Sequence, residues 1–238
     1  MKTAFVIGGS RGIGRAIVEL FASEGYLVAF TYKNSEKEAA NLASSTGSLA
    51  IKADSGSEPE IISAVKTCIS ELGHIDCLVN NVGVSALSLF TETSLAEWNR
   101  IFSINLNSAF VYSREVAPLM ISAHYGRIIN IGSMWGISGA SCEVAYSASK
   151  AALHGMTKAL AKELGPSGVT VNAIAPGLID TDMNSSLDKS AIEAIVDDTP
   201  LMRIGKPSDV AELALFLASD KASFITGEVI SVNGGFLI

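Results

Sequence analysis

Tyr146 and Lys150 stand four residues apart in Tyr146-Ser147-Ala148-Ser149-Lys150. On a helix, positions i and i+4 share a face, so the phenol and the ammonium project together. A free tyrosine titrates near about 10 and is a poor acid at neutral pH. A neighbouring ammonium favours the phenolate, so Lys150 is expected to lower the Tyr146 pKa. The pair then makes a proton donor suited to a carbonyl carbon that receives hydride. Ser133 closes an apolar run in Ile131-Gly132-Ser133. Its hydroxyl can hydrogen-bond a substrate oxygen as charge develops there. A bare Tyr-x-x-x-Lys arises often by chance on helices. Its weight here comes from its place after a strand-end serine and downstream of a glycine-rich first turn.

That turn reads Gly8-Gly9-Ser10-Arg11-Gly12-Ile13-Gly14 and follows the first apolar run. Glycines let the chain turn sharply and bring backbone N–H groups up to a pyrophosphate at the N-terminus of the next helix. Gly8, Ser10, Arg11, Gly12, Ile13 and Gly14 are therefore expected to contact a dinucleotide. The second strand ends Thr31-Tyr32-Lys33-Asn34, with no acid until Glu36. An NAD(H) site usually ends that strand with Asp or Glu on the ribose 2′-hydroxyl. Lys33 and Arg11, two cations with no carboxylate, suit a 2′-phosphate instead, which favours NADP(H) over NAD(H). The plainer alternative is that both are solvated surface charges.

Positioning these groups requires strands and helices in alternation. Strand-like runs fall at 3–7, 26–32, 48–53, 76–81, 127–132, 169–175 and 228–233, mostly apolar throughout, as in a sheet covered on both faces. Helical spacing fills 13–24, 35–44, 58–72, 96–123, 144–164 and 207–219, with Glu58 and Asp209 where helix starts are expected. The pattern predicts an α/β, Rossmann-type, doubly wound parallel sheet of seven strands flanked by helices. It forms a single dinucleotide-binding and catalytic domain over 1–238. Residues 178–206 interrupt the rhythm and are expected to cover the substrate within it, the alternative being a surface helix with no gating role.

Composition narrows the function classes. The chain has 238 residues, 48% hydrophobic and 17% charged, with a formal net charge of -7. A chain so apolar can bury a large core, and its acidity excludes general nucleic-acid binding. Three scattered cysteines make no disulfide framework, which points to a reducing cytoplasm. Three distant histidines give no metal-ligand spacing, and no apolar run reaches the length of a membrane span. The opening MKTAFVIGG reads as a first strand rather than a signal peptide.

With these motifs in order, the chain resembles the classical short-chain dehydrogenase/reductase family. Within it, the chain is similar to the bacterial 3-oxoacyl-[acyl-carrier-protein] reductases. The resemblance spans essentially the whole chain. It runs through GGSRGIG (8–14), Asp54, NNVG (80–83), Asn105, IGS (131–133), YSASK (146–150), VNAIAPG (171–177), DTDM (180–183) and ITGEVISVNGG (225–235). It implies NADPH-dependent reduction of a 3-oxoacyl thioester, the small-molecule carbonyl substrate being presented by acyl carrier protein. It implies that Asn105 completes a tetrad with Ser133, Tyr146 and Lys150, holding a water that relays protons to Lys150. Lys150 would also grip the nicotinamide ribose, Asp54 would contact adenine, Asn81 the adenosine ribose region and Thr181 the nicotinamide carboxamide. Pro176 and Gly177 would shape the nicotinamide wall, with Gly83 and Ile179 among the cofactor contacts. Ser133, Trp135, Tyr146 and Met183 would meet the substrate.

Two departures stand out. The family usually has Thr before the first glycine and Ala inside NNAG, where this chain has Ile7 and Val82. The floor of the cofactor site is therefore expected to be packed rather than hydrogen-bonded there. Acyl carrier proteins are acidic, yet the segments expected to receive one, 122–125 and 165–168, lack Lys and Arg; Arg114, Arg127 and Lys158 are the candidate substitutes. A dehydrogenase of a free alcohol, sugar or other small carbonyl compound is the second reading. A catalytically silent nucleotide-sensing module is the third. His154 is expected to pack at a subunit contact and Cys142 to form pocket wall. The family's equivalents of 96–123 and 144–164 pack between subunits, and the C-terminal end is apolar. Both features imply a homotetramer with the end buried at another contact.

Overall fold

The computed structural model describes residues 1–184 and 188–238. In chain order the elements are β1 (Thr3–Ile7), α1 (Gly12–Ser23), β2 (Leu27–Tyr32), α2 (Glu36–Thr46), β3 (Leu49–Lys52), α3 (Glu58–Leu72) and β4 (Cys77–Asn80). There follow α4 (Leu95–Phe102), α5 (Ser108–Ala123), β5 (Gly126–Ile131), the single turn α6 (Trp135–Ser138) and α7 (Val144–Leu164). The chain finishes with β6 (Val169–Pro176), α8 (Lys189–Asp197), α9 (Pro207–Ala218) and β7 (Val229–Val232). The strands lie in the order β3-β2-β1-β4-β5-β6-β7, every neighbouring pair parallel. The order reverses between β1 and β4, and a doubly wound sheet opens a ligand crevice at the carboxyl ends of the strands there.

The alternation of side chains along each strand builds two cores. From β1, Val6 joins Ile17, Val18 and Phe21 of α1 and Val210 and Leu217 of α9 on one face. Phe5 and Ile7 join Ile61 of α3, Tyr112 and Val116 of α5 and Leu164 of α7 on the other. Both faces are covered, which is why the strands read as apolar runs. The predicted strands match to within a residue or two. Glu58 opens α3, and the Asp209 carboxylate accepts from the Lys206 backbone N–H at 2.8 Å to close the start of α9.

The helical stretch expected at 96–123 is not one helix. Ser103–Asn107 widens into a π turn between α4 and α5. Such a turn adds a residue to the helix and re-aims a side chain, commonly at a functional site; here it carries Asn105. In 178–206 the structure has a short turn at Asp182–Asn184 and the exposed helix α8, capped by the Asp188 carboxylate. Ser185, Ser186 and Leu187 of that segment lie outside the described residues.

Candidate active site

The carboxyl ends of β1, β2, β4, β5 and β6 open into one cleft of about 810 Å³. Of the residues expected to bind cofactor or substrate or to form the tetrad, all but Gly14 and Asn105 line it, from Gly8, Ser10, Arg11, Gly12 and Ile13 to Ser133, Trp135, Tyr146 and Met183. Lys33, Asp54, Asn81, Gly83, Lys150, Pro176, Gly177, Ile179 and Thr181 lie between. Ser133 leaves β5 with its hydroxyl oxygen accepting the Trp135 N–H at 3.1 Å. The Ser133 side chain lies near enough to the Tyr146 phenol to lower its pKa against the effect of burial. Lys150 sits one turn on from Tyr146, its Nζ 5.7 Å from the Tyr146 ring centre.

The expected lowering of the Tyr146 pKa does not occur. Burial pushes the phenol up to about 12; Ser133 opposes the rise and the charge of Glu143 adds to it. The physical reason is placement. Lys150 Nζ donates to the Ile131 carbonyl at 2.8 Å rather than to the phenol. Burial in turn pulls Lys150 down to about 8. The phenol thus keeps its proton at neutral pH, which an acid needs.

Asn105 stands behind the cleft wall. Its Oδ1 accepts the Val84 N–H at 2.8 Å, and its Nδ2 donates to the Val84 carbonyl and to Ser149 Oγ at 2.9 and 3.0 Å. The amide therefore clamps the strand-end loop after β4 to α7. A Cβ on Gly83 would lie 3.2 Å from Lys150 Nζ and 3.7 Å from Asn105 Oδ1, so a larger residue there would press on the ammonium.

At the other end, Gly8 and Gly12 take φ of +76° and +53°, open to glycine at little cost. α1 begins with no side-chain cap and no acid in its first turn. Its first N–H groups lack intrahelical partners, so this helix start fits the anionic pyrophosphate of a dinucleotide. Gly14 serves packing: a Cβ there would meet the Gly8 carbonyl oxygen at 2.1 Å. Ile7 is 1% exposed within the core, and Val82 packs against the same core, so the floor is packed as expected. Asn81 Nδ2 ties it instead, donating to the Ile7 and Gly8 carbonyls at 3.3 and 2.9 Å.

The two cations are not without carboxylates, as the sequence implied. Lys33 Nζ lies 2.6 Å from Asp54 Oδ2, and Arg11 Nη1 lies 3.3 Å from Asp182 Oδ2. The hydrogen bond from Lys33, with the Gly56 N–H, holds Asp54 below the usual carboxylate range. Sequence distance hid both pairs, since strand ends and the segment after β6 meet only in the fold.

Four other expectations change. His154 is not at a surface: its ring packs under Gly132 and Gly136, where a Cβ on Gly132 would stand 2.2 Å from Nε2. Burial, then the charge of Lys150, pulls His154 down to about 4, so it stays neutral. Cys142 does not line the cleft, though Ser141 and Glu143 do. Arg127 is buried over the Tyr125 ring, and Arg114 is bound to Glu58 and Glu115 at 2.8 Å, so neither is a free docking cation. Phe236 of the C-terminal end stacks edge-on against Trp135 at 5.6 Å. It lines a second hollow of about 590 Å³ that shares Leu178 and Ile195 with the cleft. The end thus adjoins the site, because β6 and β7 are neighbours, although it is far along the chain from Tyr146.

Sequence reasoning also missed Ser85, Leu87, Ile104 and Glu143 on the cleft wall. Only Glu143 carried a signal, an acid three residues before Tyr146.

A family model described as "Enoyl-(Acyl carrier protein) reductase" matches residues 7–237. The 3-oxoacyl-[acyl-carrier-protein] reductase FabG of Aquifex aeolicus is 41% identical, over 98% of this chain and 96% of its own. The protein of the same name from Staphylococcus aureus is 39% identical over 98% and 97%. An uncharacterized oxidoreductase of Bacillus subtilis, YmfI, is 38% identical over 99% and 98%. A doubly substituted short-chain dehydrogenase/reductase from Serratia marcescens superimposes with a TM-score of 0.93 at 41% identity, over 99% of this chain and 97% of that one.

Proposed function

The chain belongs to the short-chain dehydrogenase/reductase family, and from that premise we propose that it reduces a 3-oxoacyl thioester to the 3-hydroxyacyl thioester with NADPH. The observation that carries the reading is the cleft itself: an uncapped helix start at one end, and Ser133, Tyr146 and Lys150 convergent at the other. The full-length relatives named as 3-oxoacyl reductases support the substrate class.

Gly83, Pro176 and Gly177 of the cleft wall would hold the nicotinamide, whose chemistry when bound would be hydride delivery to the carbonyl carbon. Tyr146 gives its phenolic proton to the carbonyl oxygen as negative charge gathers there. Ser133 donates a hydrogen bond to the same oxygen and holds it beside the phenol. Lys150, held beneath Gly83 by the Ile131 carbonyl, would grip the nicotinamide ribose. Asn105 fixes the loop that bounds this space and would hold a relay water beside Lys150. Asp54 would meet adenine, Asn81 the adenosine ribose and Thr181 the carboxamide. Trp135 and Met183 would meet the acyl group, and the described part of 178–206 would cover it.

Arg11 and Lys33 favour NADPH, exchanging their carboxylate partners for the 2′-phosphate. The experiment is NADPH and NADH oxidation against acetoacetyl groups on carrier protein, on coenzyme A and on a pantetheine mimic. Turnover of the thioesters with NADPH preferred is expected. Replacing Arg11 and Lys33 by Ala should narrow that preference, each contact contributing about 1.5–3 kcal/mol before solvent screening. Equal kcat/KM for the two cofactors in the native protein would refute the cofactor assignment. The engaged state of Arg114 and the burial of Arg127 favour a second reading, reduction of a free small carbonyl compound. Turnover of the pantetheine mimic without any gain from the carrier protein would select it.

We also infer a homotetramer. Phe110, Leu119 and Ile121 of α5 are exposed apolar side chains, as are Phe224 and Ile238, and such surface is normally covered. No helix among the described residues is long and apolar enough to cross a membrane. Light scattering at micromolar concentration should give four times the chain mass; a monomeric mass rejects the assembly.

A further inference from the structure

Glu143 is the residue just before α7, at its N-cap position and three residues ahead of Tyr146. Its side chain lines the cleft beside Ser85, Ser133 and Trp135. Glu143 Oε1 accepts a 2.6 Å hydrogen bond from Ser85 Oγ. The neighbouring Cys142 carbonyl accepts the Ser88 N–H at 2.9 Å. Together these bonds pin 85–88 to the start of α7 and fix the carboxylate in the cleft wall. The positive end of the helix dipole favours a negative charge at this position.

Among the described residues no Lys, Arg or His forms an ion pair with Glu143. The cations of the cleft are engaged elsewhere. Lys150 Nζ is given to the Ile131 carbonyl. Arg100 holds both oxygens of Glu97, at 2.6 and 2.8 Å. Arg11 and Lys33 sit at the dinucleotide end with Asp182 and Asp54. The charge of Glu143 already registers at Tyr146, whose phenol it helps burial to push up.

We propose that Glu143 is a specificity-determining residue: it accepts the 3-oxoacyl group as a neutral ester or thioester and turns away the free 3-oxo acid. This rests on the carbonyl-reduction reading above. With the 3-oxo oxygen between Ser133 and Tyr146, a free acid places its own carboxylate only two carbons from the reacting centre. Glu143 lines the same cleft and its charge is felt at Tyr146, so a carboxylate held that close to the phenol meets a like charge. An ester or thioester presents the same atoms without the charge. Discrimination then comes from a repulsive element against the wrong ligand rather than an extra attraction to the right one.

The test compares acetoacetate, ethyl acetoacetate and acetoacetyl-N-acetylcysteamine as substrates of the native protein and of Glu143→Gln, with NADPH. The amide oxygen of Gln can still accept from Ser85, so the wall keeps its bond. The ratio of kcat/KM for acetoacetate over ethyl acetoacetate should rise about tenfold or more in the variant, chiefly through KM, as the like charge is removed. In the native protein the same ratio should rise with ionic strength, because salt screens the repulsion. That arm needs no substitution and survives a variant that fails to fold. An unchanged ratio in the folded variant, or a native ratio indifferent to salt, overturns the proposal. Reduction of ethyl acetoacetate without the thioester would overturn the thioester reading while leaving the role of Glu143 standing. Turnover of none of the three overturns both.

Discussion

Replacing Tyr146 by Phe should lower kcat by about 10²–10⁴-fold, the range that a positioned proton donor supplies, with dinucleotide affinity held close to native. The two effects separate because they arise at opposite ends of the cleft. The glycine turn and the open start of α1 hold the dinucleotide. The phenol supplies only a proton, and burial keeps that proton in place by raising its pKa to about 12. Phe retains the ring and its packing, so the loss cannot be blamed on a hole in the wall. Lys150 would remain bonded to the Ile131 carbonyl and Ser133 would still face the substrate oxygen, but with no acid beside it. Fluorescence titration with NADPH measures affinity, and absorbance under saturating substrate measures turnover. A variant with near-native kcat would remove Tyr146 from the chemistry and the tetrad assignment with it.

The second large effect is expected at Gly14. A Cβ there would lie 2.1 Å from the Gly8 carbonyl oxygen and 2.6 Å from Asn81 Nδ2. Neither neighbour can move aside without breaking the turn. One is backbone, and the other is the amide that ties Gly8 to the end of β4 at 2.9 Å. Gly14→Ala must therefore push α1 away from the turn, moving the N–H groups that fit the pyrophosphate. Overpacking of this kind costs about 1–3 kcal/mol, or roughly 2–12 °C in melting temperature for a chain of this size. NADPH affinity should fall by about tenfold or more: tenfold is about 1.4 kcal/mol, and one hydrogen bond to a charged group supplies about 1.5–3 kcal/mol. Gly25→Ala is the control: it also has a positive φ, +81°, but a Cβ there meets nothing within 4 Å. It should lose some stability and keep its affinity. Native NADPH affinity in Gly14→Ala would show that the close approach of helix and turn is not what shapes the site.

The chemistry was legible where it is local. Tyr146 and Lys150 share a face because the helix repeat puts them there. The glycine turn declares itself because a strand, a sharp turn and a helix start are consecutive in sequence. Ser133 follows from the end of an apolar run. The alternation of strands and helices was enough for the parallel sheet, whose two covered faces demand apolar strands. Even the packed floor at Ile7 and Val82 could be read from residue type alone.

What the sequence did not disclose depends on groups brought together from distant parts of the chain. Lys33 acquires Asp54 because β2 and β3 are neighbours. Phe236 reaches Trp135 because β6 and β7 are neighbours and the chain beyond β7 passes the site. His154 lies inside the chain because glycines at 132 and 136 leave room for its ring. Periodicity marks the face of a helix but not what another element places against it. The same limit explains the phenol. Spacing put Lys150 near Tyr146 and suggested a lowered pKa, whereas the sign was decided by burial and by the Ile131 carbonyl that takes the ammonium's hydrogen bond. Residue types and short spacings therefore determined the groups and their turn-by-turn geometry. Desolvation and long-range pairing, which exist only once the sheet has closed its faces, decided their charge states and partners.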